Sequence, residues 1–372
     1  MPSRTGSAMP DSSCPENLLV SSSPHLAATD SVRRIMHTVW ITLLPACGVA
    51  AYVFGYAALG VILLSTAACV GFELLFVAVR GSTLRQAVGC ASDGSAIITG
   101  VLLALNLPAS APWWLVLIGA LTAMSLGKHL FGGLGHNPFN PALVARVFLL
   151  ISFPAQMLDY SPPVEDLTRS YDAAEVDGET YATPLGKLKE AARAGADPVQ
   201  QARLREEIRR DYPLLDLFLG FRPGGPGRVG GCLGEVSGLA LLLGAAILLW
   251  RRIITWHIPL SFAAATAVVT GIAWAADPAA CANPLYHLLG GGLLLGALYM
   301  ATDMVTSPVT ARGMLVFGAG CGLITAVIRL WGAYPEGVSF AILIMNGLTP
   351  LIDRVTRPRK FGQANRRWRS AA

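Results

Sequence analysis

Residues 35–79 read IMHTVWITLLPACGVAAYVFGYAALGVILLSTAACVGFELLFVAV, with Glu73 as their one acid and no lysine or arginine. An α-helix needs about 20 mostly apolar residues to cross a bilayer core. The stretch therefore divides into two spans, at about 35–56 and 58–79. Runs of crossing or near-crossing length recur at about 94–108, 112–128, 141–157, 233–250, 257–274, 286–302, 313–331 and 338–353. The expected fold is an all-α polytopic membrane protein of about ten transmembrane helices. The 94–108 run is short and glycine-rich, which marks a broken helix or one that ends in a cavity.

Composition agrees. The chain has 372 residues, 53% hydrophobic and 14% charged, with mean hydropathy +0.53. A soluble domain would have about a quarter of its residues charged. The net charge of +5 does not call for a nucleic-acid partner, because the arginines sit beside the spans and serve topology. Of the seven cysteines none forms a Cys-x-x-Cys pair. Zinc and iron–sulfur sites need clustered thiolates, so no metal site is expected in this chain.

With the N-terminus inside, the inner connections hold Arg33, Arg34, Arg80, Arg85, Lys128, Arg251, Arg252 and Arg312, and the inner tail runs from Arg354 to Arg369. The short outer connections, Asn106–Ala111 and Ala276–Tyr286, lack Lys and Arg. Only Arg329 sits against this rule, near an outer end. Both termini are expected in the cytoplasm of a bacterial inner-membrane protein. The expected organisation is a cytoplasmic segment 1–34, a first bundle 35–157, an extracytoplasmic loop 158–231, a second bundle 232–353 and a basic tail 354–372. Long segments translocate largely regardless of charge, so the Lys and Arg of 158–231 do not oppose this topology. Within the loop, Gly186–Arg210 reads as one or two charged helices, and the apolar Leu214–Phe221 should return to the membrane. No short apolar core with a small-residue cleavage site precedes the first span, so that span itself would direct insertion.

Three stretches could carry chemistry. Asp177–Leu185, Asp-Gly-Glu-Thr-Tyr-Ala-Thr-Pro-Leu, lies in the long polar segment; locally, Thr183 before Pro184 reads as a helix cap. In Gly132–Pro154 the residues Gly-His-Asn-Pro-Phe-Asn-Pro form a turn into the fifth span. There Asn137 and Asn140 either bond backbone or offer amides to a planar ring between helices. The third stretch, Gly231–Ser237, brings Glu235 to the start of a span, where a carboxylate is costly unless paired or wet. Asp93 is its counterpart at the start of the third span. Cys90-Ala-Ser-Asp-Gly-Ser-Ala-Ile echoes Cys232-Leu-Gly-Glu-Val-Ser-Gly-Leu, on opposite faces, as an inverted repeat would. Glu73 and Asp303 complete the acids that could bind a cation, relay a proton or accept hydrogen bonds. The six histidines show no metal-ligand spacing.

Together these stretches resemble the family of the D subunit of the Rnf electron-transport complex, which is similar to the B subunit of the sodium-pumping NADH:quinone reductase. The residues that carry the resemblance are Ser22–His25, the Ile35–Ala46 run, Asp93-Gly94-Ser95, Gly132–Pro154, the threonine motif, Gly234–Ser237 and Ala301–Pro308. Asp177, Thr180, Ala182 and Thr183 match the Asp-x-x-Ser/Thr-Gly-Ala-Thr pattern at which flavin transferases attach FMN, and Tyr181 departs from its glycine. The resemblance implies covalent FMN on Thr183 and a non-covalent riboflavin within the helices, which we assign to Asn137 and Asn140. It also implies work in a complex that exchanges electrons between NADH and ferredoxin and moves Na⁺ or H⁺. The implied partners are a second covalent-FMN subunit, iron–sulfur and NADH-oxidising subunits, small membrane subunits and the flavin transferase. Alternatives are the quinone-reductase B subunit, a non-redox secondary transporter, and a scaffold subunit that has lost its flavin.

Overall fold

The computed structural model describes residues 31–81, 92–160, 213–222, 225–226, 231–278, 281–332 and 336–357, with isolated positions between them. The Asp177–Leu185 motif, with Asp177, Thr180, Ala182 and Thr183, lies outside the described residues, as do the 1–30 segment, nearly all of Gly186–Arg210, and the end of the tail.

Helices make up the described chain, apart from one two-residue antiparallel pairing of Phe221–Arg222 with Gly225–Pro226. Among the described residues, five helices are long and apolar enough to cross a membrane: Val32–Val79, Trp113–Phe131, His257–Ala276, Ala311–Trp331 and Val338–Thr356. The first has 48 residues and breaks at Gly55, whose φ of 66° and ψ of −149° only glycine adopts readily. That break falls at the end of the first of the two spans expected from sequence, next to their boundary. Shorter apolar helices occupy Ser95–Leu105, Pro141–Ser152 and Gly238–Trp250. The 286–302 run is divided: Pro284–Leu289 ends at a turn through Gly291 and Gly292, and Leu293–Leu295 then passes into a π-turn at Gly296–Met300.

The Ser95–Leu105 helix is 11 residues long, about 16 Å at the α-helical rise, or half a bilayer core. It is buried along most of its length. Gly100 lets it touch the first helix directly, since a Cβ there would meet the backbone of Thr66 at 2.6 Å, and Ser65 Oγ donates to Gly100 O across the same contact at 2.8 Å. The pairing of His257–Ala276 with Ala311–Trp331 uses the same device. Gly318 and Gly322 form a small-xxx-small stripe against Ile258, Phe262 and Thr266, and Thr266 Oγ1 donates to Gly322 O at 3.4 Å.

Leu43, Phe54, Leu103, Leu149, Phe262 and Phe317 are fully enclosed between these helices. Large apolar side chains also cover the outside, among them Leu63, Ile272 and Val355. Trp113, Trp250 and Trp331 stand exposed at helix ends, where an aromatic belt meets the bilayer interface. The Leu214–Leu219 helix packs onto the bundle: Ser237 Oγ donates to Leu219 O at 2.8 Å.

Two charges differ from their sequence reading. Lys128 is no loop cation: it is 2% exposed and paired with Glu73. Arg329, the exception to the charge rule, is also buried. It bonds the carbonyls of His287, Gly290 and Gly291 at 2.5, 3.1 and 2.7 Å, so it holds a broken-helix turn and carries no topological signal.

Candidate functional site

Buried polar side chains gather at both ends of the short Ser95–Leu105 helix. At its start, Asp93 Oδ1 accepts from Ser95 N at 2.8 Å and from Ser95 Oγ at 2.6 Å. Lys128 Nζ donates to Ser95 Oγ at 2.8 Å and to Glu73 Oε2 at 2.7 Å, and His129 Nε2 lies 3.0 Å from the same carboxylate oxygen. Arg80 bonds the His129 carbonyl. Two acids singled out by sequence, Glu73 and Asp93, thus belong to one connected network with Lys128 as its hub. His129, unremarkable in sequence, is part of it. A buried lysine forms this link because its amine extends from a π-turn, Ala123–Lys128, the irregular helical geometry often found at functional positions.

Beside this network opens a cleft between the helices. Ser95, Lys128, Asn137, Asn140, Tyr299 and Asp303 line it, with apolar walls that include Met36, Ile98 and Leu102. Both asparagines serve the backbone, as one reading of the sequence expects. Asn140 Oδ1 caps the Pro141–Ser152 helix through Ala142 N at 3.1 Å, and Asn137 Nδ2 donates to Phe139 O at 3.0 Å. Asn137 keeps a free resource: its Oδ1 is buried without a partner, a costly state unless something else binds there. Asp303 turns the chain below the second π-turn, accepting from Val305 N and Thr306 Oγ1 at 3.3 Å each.

At the far end of the Ser95–Leu105 helix, Asn106 begins a second network. Arg146 Nη1 donates to Asn106 O at 2.9 Å and to its Oδ1 at 2.5 Å. Arg146 also forms an ion pair with Glu336 and lies 3.5 Å from Cys232 Sγ. Tyr160 Oη donates to Glu336 Oε1 at 3.0 Å. Burial pushes the Tyr160 phenol well above its ordinary range, so it stays protonated and a donor. Glu235 joins from the side, 7% exposed, with Oε1 unpartnered. Cys232, Glu235 and Glu336 each put a donor atom within 4.8 Å of the others. The Arg146 guanidinium already neutralises Glu336 and touches the thiol, which fills the electrostatic role that a cation would play there.

Sequence reading missed Arg146 and Glu336. The signal that could have found the first was an arginine inside an apolar span, Leu143-Val-Ala-Arg146-Val-Phe-Leu149, because an intramembrane charge marks function by default. The repeat-like echo of Asp93 and Glu235 does acquire a spatial counterpart. Asp93 belongs to the network at one end of the short helix and Glu235 lies beside the network at the other.

These features define a polytopic helical membrane protein with two separate buried polar centres and a cleft joined to one of them. The chain belongs to the NQR2, RnfD, RnfE family, with residues 19–362 matching. It is 43% identical over 346 residues to the D subunit of the Na⁺-translocating ferredoxin:NAD⁺ oxidoreductase complex of Acetobacterium woodii, covering 93% of this chain and 96% of that one. It is also 43% identical over 345 residues to the D subunit of the ion-translocating oxidoreductase complex of Stutzerimonas stutzeri, covering 90% and 93%. The corresponding D subunit from a strain of Escherichia coli is 37% identical over 365 residues, covering 92% and 98%.

Proposed function

We infer that this chain is the membrane-embedded D subunit of an Rnf-type redox-driven ion pump, in which electron transfer between NADH and ferredoxin moves Na⁺ or H⁺. The observation that carries this reading is the match to D subunits over nearly the full length of both chains. The chain is part of a translocating oxidoreductase and does not catalyse alone. NADH oxidation and iron–sulfur chemistry belong to partner subunits, accompanied by a second covalent-FMN subunit and small membrane subunits. The chain lies in the bacterial inner membrane with about ten passages, arranged as bundles 35–157 and 232–353. Both termini are cytoplasmic and 158–231 is extracytoplasmic.

In this reading Thr183 holds FMN through a phosphoester, and Asp177, Thr180 and Ala182 form the pattern that a flavin transferase recognises. A covalent tether keeps a group at high effective concentration without a deep pocket. A second, non-covalent flavin, riboflavin, occupies the cleft at Asn137 and Asn140. The fit rests on the unpartnered Asn137 Oδ1, which can accept from a ring N–H, and on apolar walls that suit a planar ring. When bound, flavins supply one- and two-electron transfer. The protein's own residues orient the ring and exclude water.

Glu73, Asp93, Asp303 and Glu235 remain the groups proposed for ion coupling. Lys128 neutralises Glu73 at 2.7 Å, so a Na⁺ ion or proton arriving at that carboxylate must compete with the lysine. That competition is the element such a pump needs, since an ion then binds only by displacing a charge already there.

The test is in-gel flavin fluorescence of the chain co-expressed with a flavin transferase, beside Thr183→Val. Fluorescence that disappears in the variant is expected. A dark wild-type band, with the transferase active on another substrate, overturns the attachment.

A further inference from the structure

Residues 161–231 separate Tyr160 from Cys232, yet the two side chains adjoin at one carboxylate. Tyr160 Oη donates to Glu336 Oε1 at 3.0 Å, and Cys232 Sγ lies 4.0 Å from the same oxygen. Arg146 pairs with Glu336 and reaches Cys232 Sγ at 3.5 Å. The backbones repeat the arrangement on another element. Ser110 Oγ donates to Asp159 O at 2.5 Å, and Leu233 N donates to Leu107 O at 3.0 Å. Both ends of the intervening segment are therefore tied twice, once to the 106–111 connection and once to Glu336 in the connection before the last helix.

We propose that Arg146, Glu336, Tyr160 and Cys232 form an anchor that holds both ends of residues 161–231 at one point and so positions the flavin tethered within them. This proposal rests on the reading of Thr183 as the FMN attachment site. Arg146 and Glu336 are positioning residues: they lie at the roots of the segment and act through Tyr160 and Cys232. Stability alone does not account for them. Removing two charges from water offsets most of what their attraction gains, so an apolar pair of similar shape would hold the helices as well. Charged, directional bonds instead specify one arrangement of the groups around them. The carboxylate has an acceptor for each root, the guanidinium reaches the second root and Asn106 together, and the Tyr160 phenol serves only as a donor. A tethered redox group needs such an anchor, because transfer to a fixed partner depends on a held distance, and the roots fix where the segment leaves the bundle, alongside the Leu214–Leu219 helix that Ser237 holds to it.

The experiment uses the assembled complex in nanodiscs, with Tyr160→Phe and Glu336→Gln. Three readouts are taken: in-gel flavin fluorescence, hydrogen–deuterium exchange of peptides covering 106–111, 157–160 and 231–236, and the stopped-flow reoxidation rate of the tethered flavin with its midpoint potential. Fluorescence and potential are expected to match wild type. Exchange at Leu233 should quicken by about fivefold, the loss of one hydrogen bond. Reoxidation should slow by about tenfold to a hundredfold, as for a reacting group misplaced by about an ångström. Tyr160→Phe removes a single oxygen, so it decides the matter if Glu336→Gln fails to assemble. Unchanged exchange and reoxidation in Tyr160→Phe overturn the anchor. Faster exchange with wild-type reoxidation overturns its positioning role and leaves only a structural one. A wild-type band without fluorescence sinks the attachment reading instead, and the exchange data then still show whether the roots are held by these residues.

Discussion

Lys128 Nζ sits 2.7 Å from Glu73 Oε2, with the two side chains only 3% and 4% exposed. Each charge is tolerable there because of the other. Lys128→Met should destabilise the fold by about 3–5 kcal/mol, because it leaves a buried carboxylate whose remaining partner is His129. The double variant Glu73→Gln/Lys128→Met should regain most of that loss. Thermal unfolding of the purified complex measures both, and a double variant as unstable as the single one would show that the pair is not the relevant unit.

Asn137→Leu should lower the non-covalent flavin released by acid precipitation and leave the covalent flavin on the denatured band. The reason is local. Asn137 Oδ1 is the unpartnered acceptor in the cleft wall, and losing one hydrogen bond to a bound ring costs about 0.5–1.5 kcal/mol, or up to roughly tenfold in affinity. Equal non-covalent flavin in both proteins, measured near the dissociation constant, would remove Asn137 from the site.

Gly55→Ala should cost about 1–3 kcal/mol, although alanine is the better helix former. At φ 66° and ψ −149° a Cβ is strained whatever the space around it. A variant that melts at or above the wild-type temperature would mean the two halves can join into one continuous helix.

Arg329→Lys should loosen the turn at 287–291. Arginine spans three carbonyls there with one planar group, and an ammonium ion cannot reproduce that fork. Faster hydrogen–deuterium exchange in peptides covering 284–296 is expected, at a cost of about 1–3 kcal/mol. Unchanged exchange would show that the turn holds without the guanidinium.

The apolar runs mark where helices form because a bilayer crossing demands length and hydrophobicity in consecutive residues, which is local information. Each expected run contains helix in the structure, and the short, glycine-rich 94–108 run, read as a broken helix or one ending in a cavity, holds an 11-residue helix. That Asn140 bonds backbone was one of two readings legible in sequence, because Asn before Pro acts on its own neighbours. Arg146 and Glu336 were not legible as a pair, since nothing in sequence joins positions so far apart. Lys128 was misread for a related reason: at the end of a run it looks like a topological charge, and only the returning second half of the first helix brings Glu73 beside it.

Residue order was enough to establish the class of this protein, its helix-forming runs, the break between the first two spans and the family to which it belongs. Those depend on composition, on consecutive residues and on motifs read in register. Helix packing alone settled which charges are buried together, that the short Ser95–Leu105 helix separates two polar centres, and that both roots of the 161–231 segment meet at Glu336. A buried charge acquires its partner from that packing, which pairs residues by distance in space, and the order of the chain does not contain such distances.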